Sequence, residues 1–341
     1  MIDIKHCPSC LDEGFSTYSP KAARTLFDGR KVSPYLDFDF DGVRDKQLMM
    51  DAMHRISVSG VQEKFPAVIE KGRIRIAGEE EQSTYILKPA PWDETLRERR
   101  QIPANEHLTM QIASQVYGIK TAANGLCFTP KGRIVYITKR FDVLPDGTKM
   151  LMEDFASIIG RNEQEDGKDF KYSGCYEDIA MAIRKNVSAW MVDMERFFEL
   201  VLFNYIYANG DDHLKNFSLI LQGQDYRLAP AYDLLNTSLH VAGDDLGLDG
   251  GLSLSIGKSE VYIRTGHPCR RDFKRFGERI GLIPSRMNRI LDAYMRLPEW
   301  AVALVGRSYL SEKMKRSYLR IVKERIARFS RDYSTSNVNS W

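Results

Sequence analysis

Two acidic residues and an amide carry the strongest chemical signal in this sequence. Asp211 and Asn216 lie within Asn209-Gly210-Asp211-Asp212-His213-Leu214-Lys215-Asn216, and Asp233 closes Ala229-Pro230-Ala231-Tyr232-Asp233. Magnesium takes hard oxygen ligands in octahedral geometry and keeps several waters. One carboxylate, one amide and the phosphates of a nucleotide therefore make a sufficient set. Asn216 and Asp233 are the metal-ligand candidates, with Mg2+ as the ion. A capped turn is the simpler reading of the segment alone, because Asn, Gly and Asp are common turn residues and His213 can pack locally.

The elements around these residues favour chemistry. Phe217 to Leu221 and Tyr226 to Ala229 read as strands joined by the turn Gln222-Gly223-Gln224-Asp225. Pairing Leu221 with Tyr226 sets a register that puts Asn216 opposite Ala231, close to Asp233. Asp211 precedes Asn216 by five positions, the spacing between base aspartate and metal-binding asparagine in the catalytic loop of protein kinases. Asp211 is the candidate base for an attacking hydroxyl.

A chain of 341 residues with 43% hydrophobic and 28% charged residues is ordinary for a soluble globular protein and long enough for two lobes. Its 49 basic and 46 acidic residues give a formal charge of +3, too balanced to imply nucleic-acid binding by itself. No apolar run approaches the roughly 20 residues of a membrane span, and the start lacks a signal-peptide core, so a cytoplasmic location is expected. Cys7-Pro8-Ser9-Cys10 has the spacing of half a zinc knuckle, but Cys127, Cys175 and Cys269 supply no second close pair. A tight turn of reduced cysteines is expected there.

The fold class expected is α+β and bilobed. A small β-rich N-lobe spans 1–143, with an irregular N-terminal extension over 1–50, and a mainly α-helical C-lobe spans 144–341. Ile56 to Val58, Phe65 to Ile69, Arg73 to Ala77, Thr84 to Lys88, Cys127-Phe128 and Ile134 to Thr138 suggest strands. A helix over Ala104 to Tyr117 crosses them, ended by Gly118. Beyond about residue 143 helical patterns dominate, including Tyr176 to Arg184 and Met194 to Ala208.

A phosphotransferase must neutralise nucleotide phosphates. Lys88, at a strand end, offers a positive group toward a cleft between the lobes, and Glu106 on the following helix is its expected partner, the arrangement of strand Lys and helix Glu in protein kinases. Ser57, Val58, Ser59 and Gly60 form a phosphate-loop candidate whose small residues let backbone amides approach phosphate oxygens. With one glycine the loop matches no standard nucleotide motif. Phe141, at the lobe junction, is the adenine-contact candidate.

Taken together, Ser57 to Lys64, Tyr85-Ile86-Leu87-Lys88, Asn105-Glu106, Lys139-Arg140-Phe141-Asp142, Asn209 to Asn216 and Pro230-Ala231-Tyr232-Asp233 closely resemble the HipA-like serine/threonine kinase toxins of bacterial toxin–antitoxin systems. The resemblance covers nearly all of the chain after Arg55. It implies a protein-kinase-like fold and the cofactors ATP and Mg2+. Asp211 is then the catalytic aspartate, Asn216 and Asp233 the metal ligands, and Lys88 the phosphate-contacting lysine, with His213 and Lys215 among the nucleotide-binding residues. Ser57 occupies the family's self-phosphorylation position. Ser59 stands where HipA has alanine, and the paired serines point to the short HipT form. Lys139 departs from the glutamate that HipA carries at the corresponding hinge position.

The chain starts near the kinase core, without the domain-sized segment of roughly a hundred residues that precedes it in full-length members. A separate HipS-like small protein resembling that segment is an expected partner, beside a HipB-like helix-turn-helix antitoxin through which any DNA contact would run. The resemblance further implies phosphorylation of an aminoacyl-tRNA synthetase, tryptophanyl-tRNA synthetase for the HipT type, with growth arrest as the outcome.

Two rival readings come from other function classes. A small-molecule or lipid kinase would use the same loop chemistry. A DNA-associated module is motivated by Lys313, Lys315, Arg316, Arg320, Lys323, Arg325, Arg328 and Arg331, although Leu319, Val322, Ile326 and Phe329 form an apolar seam that makes these the solvated face of an amphipathic helix.

Overall fold

The computed structural model describes residues 3–40, 63–241 and 257–331. The chain divides into two compact units. The first takes in Met1–Met150, Pro230–Ala242 and Glu299–Tyr318, and the second Leu151–Ala229, Gly243–Pro298 and Leu319–Trp341.

In the first unit, short apolar runs separated by turns become β1 (Phe65–Glu70), β2 (Arg73–Ile76), β3 (Tyr85–Lys88), β4 (Asn124–Phe128) and β5 (Ile134–Lys139). They form an antiparallel sheet in the order β2-β1-β3-β5-β4. Lys71 and Gly72 both adopt positive φ between β1 and β2, the handedness that matches strand twist in a tight hairpin. The expected strand over Ile56 to Val58 lies outside the described residues.

The helix Ile102–Tyr117 packs on β4 and β5 and ends at Gly118, whose φ of 70° closes it. Every residue from Ile102 to Ala113 is buried, because the helix Glu299–Arg307 covers another of its sides. Phe27, Phe65, Tyr85, Leu87, Val135 and Ile137 belong to the core on the sheet; burying each large apolar side chain contributes roughly 1.5–3 kcal/mol.

The N-terminal region is more ordered than its composition suggests. Ser19 caps a helix Pro20–Phe27 by accepting from the Ala22 N–H, and Pro20 opens it. The preceding turn docks on the edge of β4. Leu126 donates its N–H to the Pro8 carbonyl at 2.7 Å, and the Ser9 and Tyr18 hydroxyls donate to Asn124 and Leu126 carbonyls, covering a strand edge that would otherwise invite pairing. Cys7 and Cys10 are buried free thiols in that turn, Cys10 donating to Asp12. Among the described residues no group of three or more His, Cys, Asp or Glu is placed to hold a metal ion.

In the second unit, β7 (Ser218–Gln222) and β8 (Asp225–Leu228) form the expected hairpin, with Leu221 opposite Tyr226. The strand β6 (Met152–Asp154) adds to β7. The ladder does not reach an Asn216–Ala231 pair. It ends at the bond from Ala229 N–H to the Ser218 carbonyl, Asn216 closes a 3-10 turn, and Ala231 bridges Thr121 instead. Pro230 has no N–H to continue the ladder.

Helices Tyr176–Asn186 and Trp190–Ile206 form the core of this unit. The Phe197 ring meets Tyr176, Phe217 and Phe276, and Phe217 directly follows Asn216, so packing anchors the end of the candidate loop. In the helix Glu312–Phe329 the apolar seam is buried at Val322, Ile326 and Phe329. Its basic face is not wholly solvated: Arg325 is buried, with its guanidinium 5.2 Å from the Tyr205 ring centre. Among the described residues no helix is long and apolar enough to cross a membrane.

Candidate active site

Five of the residues that matter most come together in the first unit. Lys88 ends β3 opposite Tyr136 of β5, and its ammonium lies 5.4 Å from the Tyr136 ring centre. It donates to Glu106 Oε1 at 2.6 Å and to Asp233 Oδ1. Lys64 donates to the other oxygen of Asp233 at 3.0 Å. Lys88 and Glu106 are each only 2% exposed, whereas the Asp233 side chain is 27% exposed. The arrangement is thus a buried ion pair with one carboxylate reaching outward.

Burial alone would strip Lys88 of its charge, but the Asp233 and Glu106 carboxylates reverse this and hold the ammonium above its ordinary range. Burial also opposes the charge on Asp233; Lys64 and Lys88 overcome it and keep the carboxyl well below the usual carboxylate range. Burial, and then the nearby Asp233 charge, push the Glu106 carboxyl up against the pull of Lys88, its ion-pair partner among the described residues.

Local backbone chemistry fixes Asp233. It adopts a left-handed φ of 56°, uncommon outside glycine but accessible to Asp. The residues before it are pinned by Ala122 N–H to Ala231 O and Ala231 N–H to Lys120 O. On the other side, Asn105 donates Nδ2 to the Asn236 carbonyl at 2.9 Å and accepts the Asn236 N–H. Phe141 lies against Tyr232, ring centres 5.9 Å apart. Lys139 is ion-paired with Asp28.

Asp211, His213, Lys215 and Asn216 belong to the second unit. The loop begins after Ala208, at a left-handed φ of 53°. The Asp211 side chain is 54% exposed and accepts from the Tyr172 hydroxyl. His213 Nε2 lies 3.8 Å from the same oxygen. Lys215 is paired with Asp154 at 3.0 Å. Asn216 donates Nδ2 to the Asp211 carbonyl at 2.9 Å, which orients the amide, and its oxygen has no hydrogen bond among the described residues. The loop serines and their neighbours, Ser57, Val58, Ser59 and Gly60, lie outside the described residues.

Asp212, beside the candidate base, is fully buried and accepts from the Tyr176 hydroxyl at 2.7 Å. Burial pushes its carboxyl up to about 7, against the hydrogen bonds from Tyr176 and Asn204. A raised folded-state value means that the folded chain holds this proton more tightly than the unfolded chain. The stability is fully present below the ordinary aspartate range and is lost as pH rises through about 7. A rise of that size corresponds to at most ~4 kcal/mol. Asp212→Asn keeps an acceptor for Tyr176 and does not ionise, so its melting temperature falls less than the wild type's between pH 5 and 8. Calorimetry at the two pH values checks this, and parallel declines would contradict it.

Each unit carries an oxygen donor of the kind magnesium takes. In the first, both oxygens of Asp233 already face a cation, so the carboxylate sits in a place arranged for positive charge; in the second, the Asn216 amide oxygen is a hard donor with no hydrogen bond among the described residues. Lys64 and Asn105 are residues whose part in this geometry the motifs did not disclose. Both stand inside recognised segments, and their partners Asp233 and Asn236 are far away in sequence.

A model of the HipA-like C-terminal domain matches residues 56–301. The Haemophilus influenzae protein named "Putative kinase" is 26% identical over 340 residues, covering 94% of both chains. "Putative kinase Y4mE" of Sinorhizobium fredii is 28% identical over 257 residues, 70% of this chain and 55% of that protein. Among solved structures, HipA from the Shewanella oneidensis MR-1 complex of HipA, HipB and operator DNA superposes with a TM-score of 0.59 at 18% identity, covering 80% of this chain and 64% of that one. The chain thus spans about half of the Sinorhizobium protein and under two thirds of the Shewanella chain. At that identity the likeness is one of fold, and it agrees with the α+β, protein-kinase-like class expected above.

Proposed function

The chain belongs to the HipA-like C-terminal domain family, and from that premise we propose that it is an ATP-dependent serine/threonine protein kinase of the toxin type. The observation that carries the reading is the buried Lys88 ammonium held between Glu106 and the outward-reaching Asp233. A lysine so fixed is placed to meet nucleotide phosphates, with Phe141 and the Ser57–Gly60 loop completing the nucleotide site from the N-terminal lobe.

Asp211, exposed on its loop, accepts the proton of the attacking serine hydroxyl. A bond forms between that oxygen and the γ-phosphorus, and the bond to the leaving ADP oxygen breaks. His213 and Lys215 line the same loop and contribute to nucleotide binding. Magnesium, on Asn216 and Asp233, would neutralise phosphate charge. Placement and charge stabilisation supply most of the rate.

The substrate reading follows the HipT resemblance carried by Ser57 and Ser59: a serine of an aminoacyl-tRNA synthetase, tryptophanyl-tRNA synthetase, whose modification stops translation and growth in the cytoplasm. A HipB-like antitoxin and a HipS-like small protein are the proposed partners, with DNA reached through the antitoxin. Labelled ATP incubated with the protein and cell lysate tests this. Label in a protein band at phosphoserine is expected; label in a small molecule with no protein band would overturn it.

Self-phosphorylation of Ser57 or Ser59 adds roughly −1.5 to −2 charges beside the nucleotide phosphates and weakens ATP binding. Mass spectrometry of the wild type and Asp233→Ala tests this. Phosphate on the wild type alone is expected, and phosphate persisting on the variant would argue against self-modification.

A further inference from the structure

We infer that Tyr172 is a positioning residue for Asp211, holding one carboxylate oxygen so that the other faces the incoming hydroxyl. The inference rests on the proposed role of Asp211 as the base.

Its basis is the way the 3-10 turn Phe170–Tyr172 follows the candidate loop. The Tyr172 hydroxyl donates to Asp211 Oδ1, the Tyr172 ring meets His213 edge-on with centres 5.2 Å apart, and the Phe170 ring centre lies 5.7 Å from Lys215 Nζ. Alternate residues of one segment therefore engage alternate residues of the other. The turn is itself fixed by backbone bonds from Phe170 to Gly167, Tyr172 to Asp169 and Ser173 to Phe170. Neither segment contributes a regular strand or helix face to this contact, so the side chains define it.

An aspartate that is 54% exposed has rotational freedom about its side-chain bonds, and an attacking hydroxyl needs one orientation. Tyr172 removes that freedom at Oδ1. No hydrogen bond to Oδ2 occurs among the described residues. Burial, and then the Asp211 charge, raise the Tyr172 phenol above its ordinary range, so it remains a donor through neutral pH. The ring contact with His213 sets the direction of that donor without using its oxygen.

Tyr172→Phe isolates the hydroxyl, because it keeps the ring and its contact with His213. With saturating protein substrate, kcat should fall about tenfold while the KM and Kd for ATP stay unchanged, the loss expected for one hydrogen bond to a charged group. An unchanged kcat would overturn the inference. A raised kcat would also overturn it, making the tyrosine a cap that withholds the base, and so would a raised KM for ATP at unchanged kcat.

The double variant Asp211→Ala/Tyr172→Phe separates positioning from general support of the fold. Its residual rate should equal that of Asp211→Ala, since the hydroxyl acts through the carboxylate; a further tenfold fall would contradict this. If Asp211→Ala retains full transfer, the reading of Asp211 fails and this inference falls with it. An inactive Asp211→Ala beside a fully active Tyr172→Phe fails the tyrosine inference alone.

Discussion

Replacing Asp211 by alanine lowers phosphoryl transfer by about 10²- to 10⁴-fold, the usual contribution of a positioned general base. The folded protein and its ATP affinity survive the change. Asp211 sits on an exposed loop, its side chain hydrogen-bonds only to Tyr172 among the described residues, and the loop ends are anchored independently by buried Asp212 and Phe217. Rates at saturating ATP, with melting temperature and nucleotide affinity measured in parallel, check the expectation. Full retained transfer would remove Asp211 from the mechanism. Loss of transfer together with loss of folding would show that the structural part was underestimated.

Lys88→Met has the second large effect, and it acts on both stability and activity. The substitution leaves the Glu106 carboxylate at 2% exposure with no ammonium beside it, and breaking a buried pair from one side costs about 3–5 kcal/mol. Asp233 keeps Lys64, so the penalty falls mainly on Glu106. Burial already pushes Glu106 up, and without Lys88 it takes a proton more readily. The stability loss is therefore smaller at acidic pH and grows as pH rises. Adding Glu106→Gln removes the uncompensated charge and recovers much of the stability, but transfer stays lost because no lysine meets the phosphates. Denaturant unfolding at pH 5 and 8 with parallel rate measurements checks both halves; recovered transfer in the double variant would make the pair structural.

The parts of this architecture that could be read from residues alone are those written in local pattern. The strands around Lys88, the helix that ends at Gly118 and the Leu221–Tyr226 register follow from alternation, helical spacing and turn residues. The Lys88–Glu106 pair was legible because a strand-end lysine followed by an early helix glutamate is the arrangement protein kinases use. The extension of the hairpin to Ala231 failed at Pro230, which has no donor for the ladder and sends the chain to Thr121.

Other features depend on contacts between distant segments. Lys64 is 169 positions from Asp233 and Tyr172 is 39 from Asp211, and neither pairing leaves a periodic trace. The helix Pro20–Phe27 is only 8 residues long, so its signal rests on the Ser19-Pro20 start alone. Arg325 reads as part of a solvated basic face until its ring partner Tyr205 is known.

The proposed seat of a magnesium nucleotide is Lys88 and Asp233, with Asn216 as the further proposed metal ligand. A crystal structure with magnesium and a non-hydrolysable ATP analogue tests it most directly. Phosphate oxygens are expected within hydrogen-bond reach of Lys88, with the metal on the side-chain oxygens of Asp233 and Asn216. A nucleotide bound elsewhere, with Lys88 still closed on both carboxylates and no metal on Asp233, would contradict it.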